Sequence, residues 1–396
     1  MKDIVLINNF CRNFSKEDNG RFMYLCKELS KSNRVEIITN DFSHSGKVHK
    51  QPLTEQLPFT VTFLHEPGYQ KNISIKRFYS HNAWGKEVYK YLCERKKPDV
   101  IYCNVPSLTA ALKASVYCRD NGVKFIIDIQ DLWPEAFQMV LNIPVVSSAL
   151  FYPFKCRADK IYRRADTICA VSQSYVDRAL KVNRKCKSGH AVFIGTRVAT
   201  FDEGAKEEPI IAKNDDELWL GYCGSLEASY DIPSVIDALY ILQQQKKVLP
   251  RLIVMGGGSR REMFEAYAQQ KGIPATFTGR LPYGQMCAVL SRCDMVVNPI
   301  TKGSAASIIN KHGDYAASGL PVVNTQDSIE YRKLVERYAM GFNCENGNAG
   351  DLAEKLAYLV EHKDERLQMG RNARKCAEEK FDRQNSYKEL ISTILE

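Results

Sequence analysis

Short apolar runs recur along the whole chain, each followed by a stretch with helical periodicity, and this alternation constrains the fold more than any other feature. Ile4–Asn8, Arg34–Asn40, Thr60–His65, Asp99–Asn104, Lys124–Asp128, Thr167–Val171 and Ala191–Ile194 read as strands. Helical patterns over Arg21–Lys31, Ile75–Arg95 and Pro106–Asn121 fall between them, the last ended by Gly122. Strands that are apolar throughout belong to a sheet covered on both faces, and helices between successive strands make that sheet parallel. The stretch Phe201–Glu217 breaks the pattern, being rich in Asp and Glu and holding Pro209. A second series then runs through Trp219–Cys223, Arg251–Met255, Thr276–Thr278, Met295–Asn298 and Gly341–Cys344. The expectation is an α/β protein of two doubly wound, Rossmann-like domains, 1–200 and 218–380, joined by a linker at 201–217. A C-terminal helix within 381–396 is expected to pack back toward the first domain. Ligands of such sheets bind beyond the carboxyl ends of the strands, so a central cleft between the domains is the expected site.

Composition excludes several classes of function. Of the 396 residues, 44% are hydrophobic and 26% charged, which is globular and not disordered. The opening MKDIVLINNF is apolar for only four positions before two asparagines, so no signal peptide is expected. The longest apolar stretch, Met139–Phe154, holds Asn142, Pro144 and Pro153 and is too interrupted to span a bilayer. Thirteen scattered cysteines without a CxxC pair read as reduced thiols of a cytoplasmic protein. His44 and His49 share a loop but lack further ligands at zinc spacing, so no metal site is expected. The net charge of +9 is uneven: residues 1–200 carry 31 Lys and Arg against 18 Asp and Glu. One half alone therefore faces an anionic partner. Nucleic acid is not that partner, because no nucleic-acid module is present.

The stretch Asp294–Thr325 carries the most chemistry. It reads as a strand, a polar loop with Gly303 and Ser304, a helix from Ala305 to Ala317, and a second strand after Gly-Leu-Pro. A helix N-terminus at such a loop favours phosphate, and Asp314, about two turns in, could accept hydrogen bonds from sugar hydroxyls. Gly224-Ser225 and Gly279-Arg280 also follow strand ends. Gly256-Gly257-Gly258 lacks the spacing of a phosphate loop, and close packing is its expected use. In the basic half, Leu150, Phe151, Tyr152 and Phe154 precede Lys155, Arg157, Lys160, Arg163 and Arg164, a composition suited to an anionic membrane surface.

The segments GYCGSLEASYDIPSVIDAL, RLIVMGGGS, TFTGRLPYGQM and DMVVNPI…DYAASGLPVVNT resemble, in order and spacing, the retaining glycosyltransferases of family 4, which have the GT-B fold. NGRFMYLCKELSKSNRVEIITN, PDVIYCNVPS and AVSQSYVDRA fit the N-terminal domain of that family, and DIQDLWPEAF resembles its bacterial surface-polysaccharide N-acetylhexosamine transferases. The resemblance implies transfer from a nucleoside diphosphate sugar, a UDP-sugar, to a lipid-linked saccharide acceptor at the inner face of the cytoplasmic membrane. No metal or other cofactor is implied. Of the family's two signature glutamates, the second matches Asp314, which would hold the donor ribose, and the first falls at Ala306 and is absent.

By the same resemblance, the amides near Ser307 and Ile308 would bind diphosphate, with Lys311 neutralising charge. Ser225 and Tyr230 stand where the family has a basic pair, so Arg280, Lys302 or Lys311 must serve the leaving group. Gly20 matches the glycine of the first loop, and Asp131 would orient or deprotonate the acceptor hydroxyl. Two other functions fit the same residues: a UDP-sugar 2-epimerase and a catalytically silent sugar-nucleotide-binding scaffold.

Overall fold

The computed structural model describes residues 1–11, 14, 20–44, 46–51, 53, 55–71, 74–135, 144–304 and 308–396, and for 144–150 the backbone alone. The chain divides into two compact units, one of Met1–Phe193 with Tyr387–Glu396, the other of Ile194–Ser386.

Seven strands form the sheet of the first unit: β1 (Asp3–Ile7), β2 (Arg34–Asn40), β3 (Thr60–Leu64), β4 (Val100–Val105), β5 (Lys124–Ile129), β6 (Thr167–Ala170) and β7 (His190–Ala191). All are parallel, in the order β3-β2-β1-β4-β5-β6-β7. In the second unit β8 (Trp219–Cys223), β9 (Arg251–Met255), β10 (Ala275–Gly279), β11 (Met295–Asn298), β12 (Val322–Asn324) and β13 (Gly341–Asn343) follow the order β10-β9-β8-β11-β12-β13. The winding is the same in both. Each chain runs outward from the first strand, returns across it, and reverses the strand order between β1 and β4 or between β8 and β11. Such reversals leave a crevice outside the carboxyl ends, where ligands bind.

Burial on both faces explains the apolar runs. Ile4, Leu6, Val100, Tyr102 and Ile126 join one core with Phe22 and Leu25 of the Arg21–Ser30 helix. Leu220, Tyr222, Leu252, Val254, Met295 and Val297 join the other with Ile236, Leu239 and Leu242 of the Ile232–Gln244 helix. Polar side chains gather at strand ends and helix caps. Asp231 caps the latter helix by accepting from Ser234 N–H at 3.2 Å.

Two features differ from the sequence reading. The acidic stretch 201–217 begins inside a helix, Val198–Gly204, whose Phe201 is buried. Asp202 there is held bidentately by Arg374 at 2.6 and 2.7 Å, so this stretch docks on the second unit rather than running free. The helix expected over 305–317 covers Asn310–Ala317, and Ala305, Ala306 and Ser307 lie outside the described residues.

The chain's last helix, Lys388–Leu395, packs Leu390 and Ile394 into the core of the first unit. Arg21 holds it there. This fully desolvated guanidinium donates to Asp128 Oδ2 and Oδ1 at 2.9 and 3.0 Å, to the Val192 carbonyl at 3.0 Å and to Tyr387 Oη at 3.0 Å. Breaking a buried pair by removing one partner leaves the other charge uncompensated, at about 3–5 kcal/mol. Arg21→Met should therefore lower the unfolding free energy of the first unit by that order, seen as a lower urea midpoint. A midpoint within experimental error of the native one would show the pair to be dispensable.

Candidate functional site

The crevice between β8 and β11 is built by the Asn310–Ala317 helix. His312 fixes where that helix starts: its Nδ1 accepts from Ile309 N–H at 3.2 Å, and its ring stacks on Tyr331 at 3.5 Å. The proton of the neutral ring then resides on Nε2, which bonds to the Gln326 side chain. Burial drives the His312 pKa far down, so the ring stays neutral.

Lys311 and Tyr315, one turn apart, share the helix face toward β8. Tyr315 Oη accepts from Cys223 N–H at 3.0 Å, pinning the helix to the strand's carboxyl end. Lys311 Nζ lies 4.1 Å from the ring centroids of both Tyr222 and Tyr230. It is buried and, among the described residues, has no hydrogen-bond partner. Burial pulls its pKa from 10.5 to about 7. An unpaired ammonium in a low-dielectric setting is costly, and an anion reaching it would recover that cost.

Gly224 lies directly over this ammonium. Its φ of +147° disfavours any side chain, and a Cβ there would come within 3.0 Å of Lys311 Nζ. Gly256 packs against Gly224 so closely that a Cβ would meet its carbonyl oxygen at 1.8 Å, and a Cβ on Gly258 would meet that of Leu226 at 2.3 Å. Gly256 and Gly258 therefore serve close packing, as expected, whereas a Cβ on Gly257 would meet open space. Ser225 is exposed, and its carbonyl accepts from Tyr222 Oη at 2.6 Å.

Asp314 occupies the adjacent helix face and is half-buried. Tyr283 Oη donates to its Oδ1 at 2.8 Å, the Thr196 hydroxyl donates to Tyr283 Oη at 3.0 Å, and Arg383 adds a favourable charge. Burial outweighs these and leaves its pKa raised. Thr196 is held in turn by pairing with Phe381 and Arg383: Thr196 N–H donates to Phe381 O at 2.8 Å and Arg383 N–H to Thr196 O at 2.9 Å. That single hydrogen bond to Asp314 leaves about three of a carboxylate's roughly four acceptor positions for a ligand.

The other expected residues fall as follows. Ile308 is buried, so its side chain contributes to packing. Arg280 and Lys302 are exposed, at the ends of β10 and β11 respectively. Gly20 precedes the Arg21–Ser30 helix at φ −78°, a conformation open to any residue, so no conformational need for glycine exists there. Asp131 follows β5, half-buried, and accepts from Trp133 Nε1 at 3.1 Å. Burial raises its pKa against the opposing effects of the Trp133 and Leu132 hydrogen bonds and the Arg77 charge. Tyr283, Thr196, Arg383 and His312 carry no local signature and were not legible in the sequence.

His49 does have neighbours that spacing did not reveal. His65 Nδ1 lies 2.9 Å and His49 Nδ1 3.5 Å from Asp41 Oδ2, and the two rings stack at 5.5 Å. The three ligand atoms lie within 4.8 Å of one another, close enough to hold one metal ion.

Of the aromatic residues beside the basic helix Pro144–Arg164, Phe151 is buried and Phe154 packs on Phe78 at 5.0 Å. Tyr152 alone of that group is largely exposed, and Leu150 lies where only the backbone is described. Among the described residues, no helix is long and apolar enough to cross a membrane.

Residues 205–376, which contain this crevice, match the family model described as glycosyl transferases group 1. No curated protein matches the chain. Among solved structures, sucrose-phosphate synthase from Thermosynechococcus elongatus is similar at a TM-score of 0.73 and 15% identity, over 100% of this chain and 97% of that one. HepE from Anabaena, in complex with UDP, is similar at 0.71 and 15%, over 99% of each chain. WaaG, a glycosyltransferase involved in lipopolysaccharide biosynthesis, is similar at 0.68 and 15%, over 99% of each. The fold is accordingly that of the GT-B glycosyltransferases, two parallel-sheet Rossmann-like domains in one chain.

Proposed function

We propose that the chain is a retaining glycosyltransferase of the family 4 kind, moving a sugar from a UDP-sugar to a lipid-linked saccharide in bacterial surface-polysaccharide assembly. An N-acetylated hexosamine or deoxyhexosamine is the proposed sugar. The observation that carries the reading is Lys311, a buried ammonium without a hydrogen-bond partner, lying under Gly224 at the strand reversal of the segment that matches the glycosyl transferases group 1 model. The UDP complex of HepE, a protein of the same fold, supports UDP as the donor's nucleotide.

In this reading the diphosphate approaches Gly224, where no side chain obstructs it, and Lys311 neutralises it from below. The free acceptor positions of Asp314 take the ribose hydroxyls. Arg280 and Lys302, both exposed, supply further positive charge to the leaving diphosphate. The bond from the anomeric carbon to the β-phosphate oxygen breaks and the bond to the acceptor oxygen forms on the same face. The acceptor's proton passes to Asp131 or to the departing diphosphate. Stabilising charge on that diphosphate supplies most of the barrier lowering, because it develops as the bond breaks. No step requires a metal.

The proposed acceptor is lipid-linked, which places the enzyme on the cytoplasmic face of the membrane. Ile75, Tyr79 and Tyr152 support this, being 87%, 67% and 63% exposed. They flank the Phe78–Phe154 contact and lie beside exposed Lys76, Arg157 and Lys160. Exposed aromatic and aliphatic side chains ringed by cations suit an anionic lipid surface.

Three measurements test the assignment. Asp314→Ala should weaken UDP binding at least tenfold by calorimetry, and unchanged affinity would remove that residue from the site. Lys311→Met should weaken it roughly 10–100-fold, since a charge-assisted hydrogen bond contributes about 1.5–3 kcal/mol. Lys311 also sets a pH dependence. An anion favours the ammonium form, so native UDP affinity should fall as pH rises through about 7, with proton uptake on binding. Stability should move the other way. The unfolded lysine titrates near ~10.4, so between about 7 and there the unfolded chain holds the extra proton and stability rises with pH. Lys311→Met should abolish that slope. Asp131→Asn should keep UDP binding and lose sugar transfer from UDP-N-acetylhexosamines to a membrane-lipid acceptor; donor binding with no transfer by the native protein would favour the silent scaffold.

A further inference from the structure

The first unit holds a second cluster of buried polar groups at the carboxyl ends of its strands, and the donor site makes no use of it. Glu66, two residues past β3, is fully buried. Its Oε1 accepts from Ser80 Oγ at 2.8 Å and its Oε2 from Asn40 Nδ2. Asn40, at the end of β2, also donates to Asn9 Oδ1 at 2.8 Å, and Lys50 Nζ donates to Asn40 Oδ1 at 3.0 Å. These bonds fix the carboxylate in one orientation.

His81 faces it. This ring is only 5% exposed, and its Nε2 lies 3.8 Å from Glu66 Oε1, too far for a hydrogen bond. Among the described residues Nε2 has no partner, and neither has the nearby Asn9 Nδ2. Burial, with Arg77 and His44, pushes the imidazole down to about 3, so the ring is neutral and the pair is not a salt bridge. Buried polar atoms are almost always satisfied, so an imidazole nitrogen left open beside a carboxylate calls for an explanation.

The surroundings are aromatic. Phe10 and Tyr69 each lie 5.7 Å from the His81 ring, and Trp133 stacks on it at 5.9 Å with an interplanar angle of 9°. Arg77 lies 4.7 Å from the Trp133 ring centroid. Trp133 also links this cluster to Asp131, to which its Nε1 donates at 3.1 Å. The opening between Glu66 Oε1 and His81 Nε2 is therefore one residue removed from the carboxylate assigned to the acceptor hydroxyl.

We propose that Glu66 and His81 form a saccharide-binding subsite for the acceptor, in which one sugar hydroxyl bridges Glu66 Oε1 and His81 Nε2. The hydroxyl donates to the carboxylate and accepts from the imidazole N–H. An oxygen about 2.8 Å from each atom spans the 3.8 Å between them. The aromatic walls suit the apolar faces of a pyranose and exclude water. Such a site selects for a hydroxyl at one position of the acceptor sugar, because a deoxy analogue would leave two buried polar groups unpaired.

The assignment to the acceptor rests on the glycosyltransferase reading; the binding itself does not. Methyl glycosides of glucose, galactose, mannose, N-acetylglucosamine, N-acetylgalactosamine, fucose and rhamnose serve as probes, followed by saturation-transfer NMR on the full chain without UDP. At least one should bind the native protein, and Glu66→Gln should weaken it at least tenfold. Glutamine can keep its oxygen toward Asn40 while the Ser80 hydroxyl rotates to accept, so the fold is retained, and a donor then faces His81 in place of an acceptor. His81→Gln is the second variant, and both should keep native thermal midpoints and native UDP affinity by calorimetry. Binding unaltered by either variant would overturn the subsite, as would the absence of binding by every glycoside while UDP still binds. Loss of UDP binding by the native protein would instead strike at the donor reading.

Discussion

Three asparagines in register across the carboxyl edge of the second sheet hold the crevice in shape. Asn298, Asn324 and Asn343 end β11, β12 and β13 and are paired strand to strand. Asn298 Nδ2 donates to Asn324 Oδ1 at 2.8 Å, and Asn324 Nδ2 to Asn343 Oδ1 at 2.9 Å. A side-chain amide both donates and accepts, so it continues the backbone ladder one step beyond where the strands separate. His312 meets the first rung, and the helix carrying Lys311, Asp314 and Tyr315 starts where His312 accepts from the backbone. Tyr315 adds a second anchor by accepting from Cys223 N–H, and together they set the position of the ammonium under Gly224.

The first unit uses the same device more loosely. Asn104 at the end of β4 donates to Asn8 Oδ1 beyond β1 at 2.6 Å, and Asn40 at the end of β2 donates to Asn9. In both units polar side chains gather past the strand ends. Asparagines there pair with one another in part, and on the neighbouring helices Lys311 Nζ and His81 Nε2 remain open. Those two atoms are the ones at which the proposed ligands would complete the structure.

The sequence showed much of this edge but misjudged its details. Asp314 was found because a β-loop-helix-β unit is visible in periodicity, and Lys311 through the resemblance to the family 4 glycosyltransferases. The start of the helix at Asn310 was not visible, because the side chain of His312, and no local cap residue, decides it. The burial of Lys311 was not visible either, because it depends on the approach of Tyr222 and Tyr230 from a distant strand and loop. Phe151 and Phe154 looked like a membrane-facing pair, yet they turn inward, because Phe78 of the Ile75–Glu94 helix packs on Phe154.

By itself the sequence determined the two parallel sheets, their winding and the chemistry available at their edges. Those follow from local patterns: strands apolar throughout, helices between them, and glycines and polar residues where strands end. Tertiary structure alone decided which polar groups are free to meet a ligand. Glu66 and His81 are 15 residues apart and Asp314 and Thr196 are 118 apart, and no periodicity records that they meet. The state of a buried side chain depends on its low-dielectric surroundings and on partners brought from other strands. That is why a lysine's charge and an imidazole's open nitrogen could be read only from the folded chain.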